Sequence, residues 1–225
     1  MKTKPTKSYL YEHVARIVKA LSRPKRLELL ELLAQGEKTV ETLSAQADID
    51  MRLASAHLKA LREARLVETR RDGKYIHYRL SGPDVAQLWV TLRETAEERL
   101  VELRVALEQM ASAPDSLCTE SRESLLLKAQ QGDVVVIDVR PAAEFNAGHL
   151  PFARSMPLNE LEKRLADLPA DSHVVAYCRG PFCLMSDEAV TLLRDKGFSA
   201  QKISDGVSEW AACGLPIETA SPINE

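Results

Sequence analysis

A short polar stretch with a proline, Ser112-Ala113-Pro114-Asp115-Ser116, interrupts the chain at its midpoint and separates two incompatible hydrophobic patterns. Before it, apolar residues recur every three or four positions, as on helices; after it, β-branched runs alternate with helical stretches. Proline ends the helical pattern that precedes it. At ~150 residues per domain, 225 residues allow one domain or two. The break decides for two, over 8–112 and 118–219. The longest aliphatic run of the second half, Val134 to Ile137, is far short of the ~20 apolar residues of a membrane helix. No membrane partner is therefore expected. The start, Met1 to Lys7, is basic and lacks the apolar stretch of a signal peptide, which points to the cytoplasm. Four cysteines are too few for a disulfide framework, so each thiol is judged by its surroundings.

The net charge of −3 conceals an asymmetry: residues 1–112 carry +4 and 113–225 carry −7. Within the first half, Met51 to Leu80 holds eight basic residues against three acidic ones, a polyanion-facing signal. Leu10, Val14, Ile17, Val18 and Leu21 recur at helical spacing and give a first helix, and Pro24 opens a second that runs to Gly36. Thr39 to Ala47 gives a third. Asp50 caps a fourth running to about Ala64, with Leu53, Ala54, Leu58 and Leu61 inward. Two short helices across a tight turn form a helix-turn-helix. Leu66–Arg71 and Lys74–Leu80 flank Asp72-Gly73, a hairpin signal.

This arrangement lays one helix in the major groove of double-stranded DNA and the hairpin beside the backbone. On the fourth helix Met51, Arg52, Ser55, Ala56 and Lys59 face outward, Arg52 and Ser55 suited to base edges and Lys59 to phosphate. Arg70, Arg71 and Lys74 are expected on the DNA backbone, and His57 in a structural role. Leu58-Lys59-Ala60-Leu61-Arg62-Glu63-Ala64, Leu66-Val67 and the Asp72-Gly73 hairpin resemble the ArsR-type winged-helix repressors over residues 8–110. That resemblance implies a dimeric regulator that leaves DNA on binding an inducer. Metal sensing is not expected, because Thr39–Ala47 has no cysteine and Pro83–Ser112 no histidine. The 83–112 segment reads as one helix of about 28 residues, ~42 Å long. Its Leu88, Leu92, Ala96, Leu100, Leu103, Leu107 and Met110 form an apolar seam that predicts a homodimer.

In the second half, Asp133–Asp138 and His173–Tyr177 alternate with helices over Asn159–Leu168 and Met185–Lys196, which predicts an α/β fold with a parallel sheet. Cys178 directly follows the second run and precedes Arg179-Gly180-Pro181-Phe182-Cys183 and a helix. Strand carboxyl ends and helix amino ends converge at such a place. Converging amides, with Gly180 and Phe182 in the cradle, and the charge of Arg179 would lower the thiol pKa from ~8.5 and make Cys178 a nucleophile. An inert buried cysteine is the alternative at this level.

Asp138-Val139-Arg140, Glu144-Phe145, Gly148-His149-Leu150-Pro151, Ala153, Asp205-Gly206, Trp210 and Gly214-Leu215-Pro216 resemble the rhodanese sulfurtransferase domain over 118–219. The resemblance implies that Cys178 accepts sulfur as a persulfide, and that Asp138, Arg140 and His149 are scaffold. The family's usual loop has Gly three residues after the cysteine and a basic residue five after. Here Gly180 stands two after, Pro181 next and Cys183 fifth. Pro181 removes an N–H from the cradle, and Cys183 replaces a cationic contact. Cys183 is either a resolving thiol for Cys178 or a small buried side chain; Cys118 and Cys213 read as structural or incidental. Residues 182–187 hold no arginine, which disfavours phosphate-type chemistry. No cofactor is expected.

The whole is an α+β winged helix-turn-helix domain followed by an α/β rhodanese-like domain. It is expected to regulate transcription, coupling a small sulfur donor such as thiosulfate or polysulfide, through Cys178, to DNA binding. The rival is a sulfurtransferase whose winged helix serves dimerisation or placement, and a constitutive regulator with an inactive second domain is a third reading.

Overall fold

A computed structural model describes residues 6–110, 114–169 and 171–220. Most of the basic start, and Ser112 and Ala113 of the interdomain stretch, lie outside the described residues. The chain divides into two compact units, Met1–Trp89 and Val90–Glu225.

The first unit holds α1 (Lys7–Leu21), α2 (Pro24–Ala34), β1 (Lys38–Thr39), α3 (Val40–Gln46), α4 (Met51–Glu63), β2 (Val67–Asp72), β3 (Tyr75–Leu80) and the start of α5 (Pro83–Arg99). Side-chain caps set the helix starts: Thr6 accepts from the Tyr9 amide, Thr39 from Thr42 and Asp50 from Leu53 at 2.9 Å. Leu29, Leu30, Leu33, Leu43, Leu58 and Leu61 close one core. The hairpin pairs Asp72 with Tyr75, so its two-residue loop is Gly73-Lys74, one position later than the sequence suggested; Gly73 supplies φ +58. Thr39 is both the cap of α3 and part of β1, which pairs with β3 to give the sheet order β1-β3-β2.

One inward assignment is corrected. Leu53 is exposed, because one residue before Ala54 it lies about 100° around the helix from that residue, off the Ala54–Leu58–Leu61 stripe that meets α2 and α3. On α1, Leu10, Val14 and Val18 are also exposed; Ile17 and Leu21 pack and Ala20 is buried.

The second unit contains the rest of α5, α6 (Val101–Met110), a 3-10 turn (Pro114–Ser116), α7 (Arg122–Gln131), β4 (Val134–Asp138), α8 (Ala142–Ala147), β5 (Arg154–Ser155), α9 (Leu158–Leu161), a 3-10 helix (Glu162–Asp167), β6 (His173–Tyr177), α10 (Met185–Asp195), β7 (Ser199–Lys202) and α11 (Val207–Ala212). The single helix expected over 83–112 is thus broken at Leu100, where hydrogen bonds from the Leu103 and Arg104 amides both converge on the Leu100 carbonyl. The 159–168 helix is mostly 3-10.

The sheet is parallel, in the order β5-β4-β6-β7. Residues alternate between its faces, so Val135, Ile137, Val174 and Ala176 enter one core and Val134, Val136, Val175 and Tyr177 the other. Burial on both faces explains why β4 and β6 read as continuous apolar runs. At the sheet's end a buried charge network replaces apolar packing. Arg140 Nη2 donates to Asp138 at 2.5 Å and to the Gly148 carbonyl at 2.7 Å, and the Tyr177 hydroxyl donates to Asp138 at 2.6 Å. The Leu150 amide donates to that hydroxyl at 3.1 Å. His149 stacks on Phe145, with Nδ1 2.9 Å from the Phe145 carbonyl. Leu117 and Cys118 pair alongside β7, the Cys118 amide donating to the Lys202 carbonyl at 2.7 Å.

Candidate functional site

β6 ends at Tyr177 and α10 starts at Met185, and the loop between them folds around the Cys178 sulfur. In its thiol form Cys178 points at the carbonyls of Cys183 (3.2 Å) and Gly180 (3.9 Å), with the Ser186 hydroxyl 3.3 Å away. In its thiolate form the donors are, in order of weight, the Cys183 thiol, the Ser186 hydroxyl and the amides of Ser186 and Gly180. Burial opposes ionisation, but these donors outweigh it and the Cys178 pKa is lowered to about 6. Donating to that sulfur, with burial, pushes the Cys183 thiol up. The pair therefore gives up its first proton more readily than an ordinary thiol, with Cys183 a donor to the Cys178 sulfur.

Arg179 does not take the role expected from its position. Its guanidinium is committed to Glu144, with Nε 2.9 Å from Oε2 and Nη2 2.7 Å from Oε1, so its charge is partnered away from the sulfur. The lowered pKa of Cys178 comes instead from Cys183 and Ser186. Ser186, buried in the first turn of α10, was missed; its only sequence signal is its place at a helix start eight residues beyond the cysteine. Gly180 lies at φ +140 and Phe182 is half-buried in the loop. The Cys178 side chain is 1% exposed, so a reactant reaches it only when the loop side chains give way. Cys118 is buried in the second core and Cys213 is exposed.

The loop rests on α11 and its approach. A Cβ on Gly206 would lie 2.4 Å from the Arg179 carbonyl oxygen, and one on Gly180 would lie 3.1 Å from a Glu209 oxygen. Glu209 accepts from the Gly206 amide at 2.8 Å and pairs with Arg93 of α5 at 3.2 Å, both side chains being 3% exposed. Burial raises the Glu209 pKa, against the pull of Arg93. Sequence reading missed this pair, which joins residues 116 positions apart.

In the first unit, Arg52, Ser55, Ala56 and Lys59 share one exposed face of α4, opposite Ala54, Leu58 and Leu61, with Met51 and Leu53 exposed beside them. Arg70 is engaged by Glu37 at 3.0 Å and Asp72 at 3.2 Å. Arg71 Nε donates to the Gly73 carbonyl, and Lys74 lies over the Tyr75 ring. His57 is half-buried, and its pKa is lowered by burial, then by Arg26 and Arg23.

Residues 23–69 match the bacterial regulatory protein arsR family, and residues 121–213 match the rhodanese-like domain family. The HTH-type transcriptional regulator Rv0324 of Mycobacterium tuberculosis is 41% identical over 217 residues, spanning 96% of this chain and 95% of that protein. A protein named sulfurtransferase from Allochromatium vinosum is 33% identical over 90 residues, 40% of this chain and 82% of that one. The solution structure of the homodimeric winged helix-turn-helix domain of Mb0332 from Mycobacterium bovis is 40% identical, covering 45% of this chain and 94% of that chain with a TM-score of 0.42. No helix among the described residues is long and apolar enough to cross a membrane. With both parts matched in order and a full-length relative, this chain is a DNA-binding transcriptional regulator that belongs to the arsR family and carries a rhodanese-like domain behind its winged helix.

Proposed function

We propose that this regulator senses sulfane sulfur: Cys178 takes up a sulfur atom as a persulfide, and the altered loop changes affinity for DNA. The observation that carries the reading is the Cys178–Cys183–Ser186 arrangement at the start of α10, which favours the thiolate at neutral pH. Cys183 then has a second use. Its sulfur attacks Cys178 Sγ in the persulfide, the bond to the outer sulfur breaks, and the Cys183 proton leaves with that sulfur as hydrogen sulfide, giving a Cys178–Cys183 disulfide.

The regulator acts as a homodimer. Leu10, Val14, Val18 and Leu88 are exposed in the first unit, and Leu92, Leu100 and Met110 in the second, apolar side chains suited to contact with a second copy. On DNA, Arg52 and Ser55 face base edges and Lys59, Arg71 and Lys74 the backbone, with Arg70 contributing to the extent that Glu37 and Asp72 release it. Coupling requires that sulfur loading favour one arrangement over another. The Glu209–Arg93 pair beside the loop provides a route, because α5 is one helix that begins at Pro83 in the first unit.

The test is a gel shift of the full chain with and without a sulfur donor, for the native protein and Cys178→Ser. Donor-dependent release is expected for the native protein alone; release by Cys178→Ser as well rejects the sensing role. The likeness of the second domain to a sulfurtransferase favours a second reading, an enzyme of rhodanese type acting at Cys178. That reading predicts multiple turnovers from donor to a thiol acceptor and DNA affinity indifferent to the state of Cys178.

A further inference from the structure

The shell around Cys178 is also the wall of a cavity. About 260 Å³ of space lies against Gly180, Cys183 and Ser186, the same three residues that touch the sulfur. Its other walls combine the apolar Leu107, Met110, Leu117, Leu184 and Ile203 with the neutral Ser116 and Ser204. Two charged side chains line it, Glu97 and Lys202, and both are already paired, Glu97 with Arg93 and Lys202 with Asp187. The nearest loop cation, Arg179, is held bidentately by Glu144. A dianion entering this space would lose its hydration without gaining an uncommitted cation, whereas an uncharged molecule with an apolar group would gain contact.

We propose that the donor received here is an uncharged persulfide, R–S–S–H with a small apolar R, and not thiosulfate. The inference rests on the reading of Cys178 as the sulfur receiver and names its substrate class. The Cys178 thiolate attacks the terminal sulfur of R–S–S–H. A new S–S bond forms as the old one breaks, RS⁻ leaves with the bonding pair, and Cys178 carries –S–S–H. The leaving thiolate takes its proton from water, and no external oxidant is needed. The neutral form is the electrophile, since a persulfide anion would meet a thiolate of like charge.

The experiment follows one added sulfur on the Cys178 peptide by mass spectrometry, using the full chain at neutral pH with tert-butyl hydrodisulfide or thiosulfate at equal concentration. The alkyl persulfide is expected to load at least about a hundredfold faster, given the cost of an unpaired buried charge. Leu184→Arg, at a wall position 41% exposed, adds a cation and should speed thiosulfate loading about tenfold while leaving the alkyl persulfide no faster. Leu117→Lys, on another wall, should do the same. Equal loading of the native protein by both donors, or donor ratios unmoved by both substitutions, overturns the donor class and leaves Cys178 as receiver. Loading by neither donor overturns the receiver itself.

Discussion

Arg93→Met cuts the pair that holds Glu209 beside the Cys178 loop. In the native protein Arg93 and Glu209 are 3.2 Å apart and both side chains are almost fully buried. Removing one partner of such a pair costs about 3–5 kcal/mol, because the other charge stays buried without compensation. Here Glu209 keeps the Gly206 amide at 2.8 Å and can take up a proton, so the lower end, about 3 kcal/mol, is expected. The pH dependence has a definite sign. Burial already raises the Glu209 pKa, and losing Arg93 raises it further. Protonation relieves the buried charge, so the destabilisation should shrink as pH falls through the raised pKa and be largest where Glu209 is ionised. Urea unfolding followed by the fluorescence of the buried Trp210, in a Trp89→Phe background that removes the other tryptophan, measures the loss in the second unit, near neutrality and in mild acid. A loss under about 1 kcal/mol that is the same at both pH values would refute the reasoning. If the pair also transmits the signal, Arg93→Met should still load sulfur on Cys178 yet no longer change its DNA affinity on loading.

Cys183→Ala removes the leading donor to the Cys178 thiolate; its alkylation by iodoacetamide, which in the native protein should rise through about pH 6, should shift towards the pH range of an ordinary thiol. A native profile that already rises only at alkaline pH would show that the donor set does not act. Gly206→Ala forces a Cβ to within 2.4 Å of the Arg179 carbonyl oxygen, so it should cost about 1–3 kcal/mol in thermal unfolding and perturb Cys178 reactivity, whereas a neutral substitution would contradict the close packing. For DNA, Lys59→Ala should lower the slope of log affinity against log salt by about 1. Arg70→Ala should lower it less, because Glu37 and Asp72 already neutralise Arg70; equal slopes would show that those pairs open on DNA.

The helices and strands were legible where one pattern dominated. Asp50 announced its helix because a cap is a contact three residues long. β4 and β6 announced themselves because burial on both faces leaves an uninterrupted β-branched run. Leu53 was misread because a helical stripe shows which residues share a face, and packing partners elsewhere in the chain decide whether that face is covered. Leu100 carries no proline or glycine to mark the break between α5 and α6, so the sequence offered one helix there.

The sequence by itself determined that an ArsR-like part precedes a rhodanese-like part, where the thiol stands between strand and helix, and which helix turns its basic face outward, since each follows from local periodicity or from motifs in order along the chain. Only the tertiary structure decided what surrounds the sulfur. Arg179, adjacent in sequence, is drawn off by Glu144, while Ser186 and Cys183 supply the donors and Glu209, clasped by Arg93, supports the loop. The physical reason is that hydrogen bonds and ion pairs act over a few ångströms in space, and the fold brings together Arg93 and Glu209, or Glu144 and Arg179, across separations that no periodicity records.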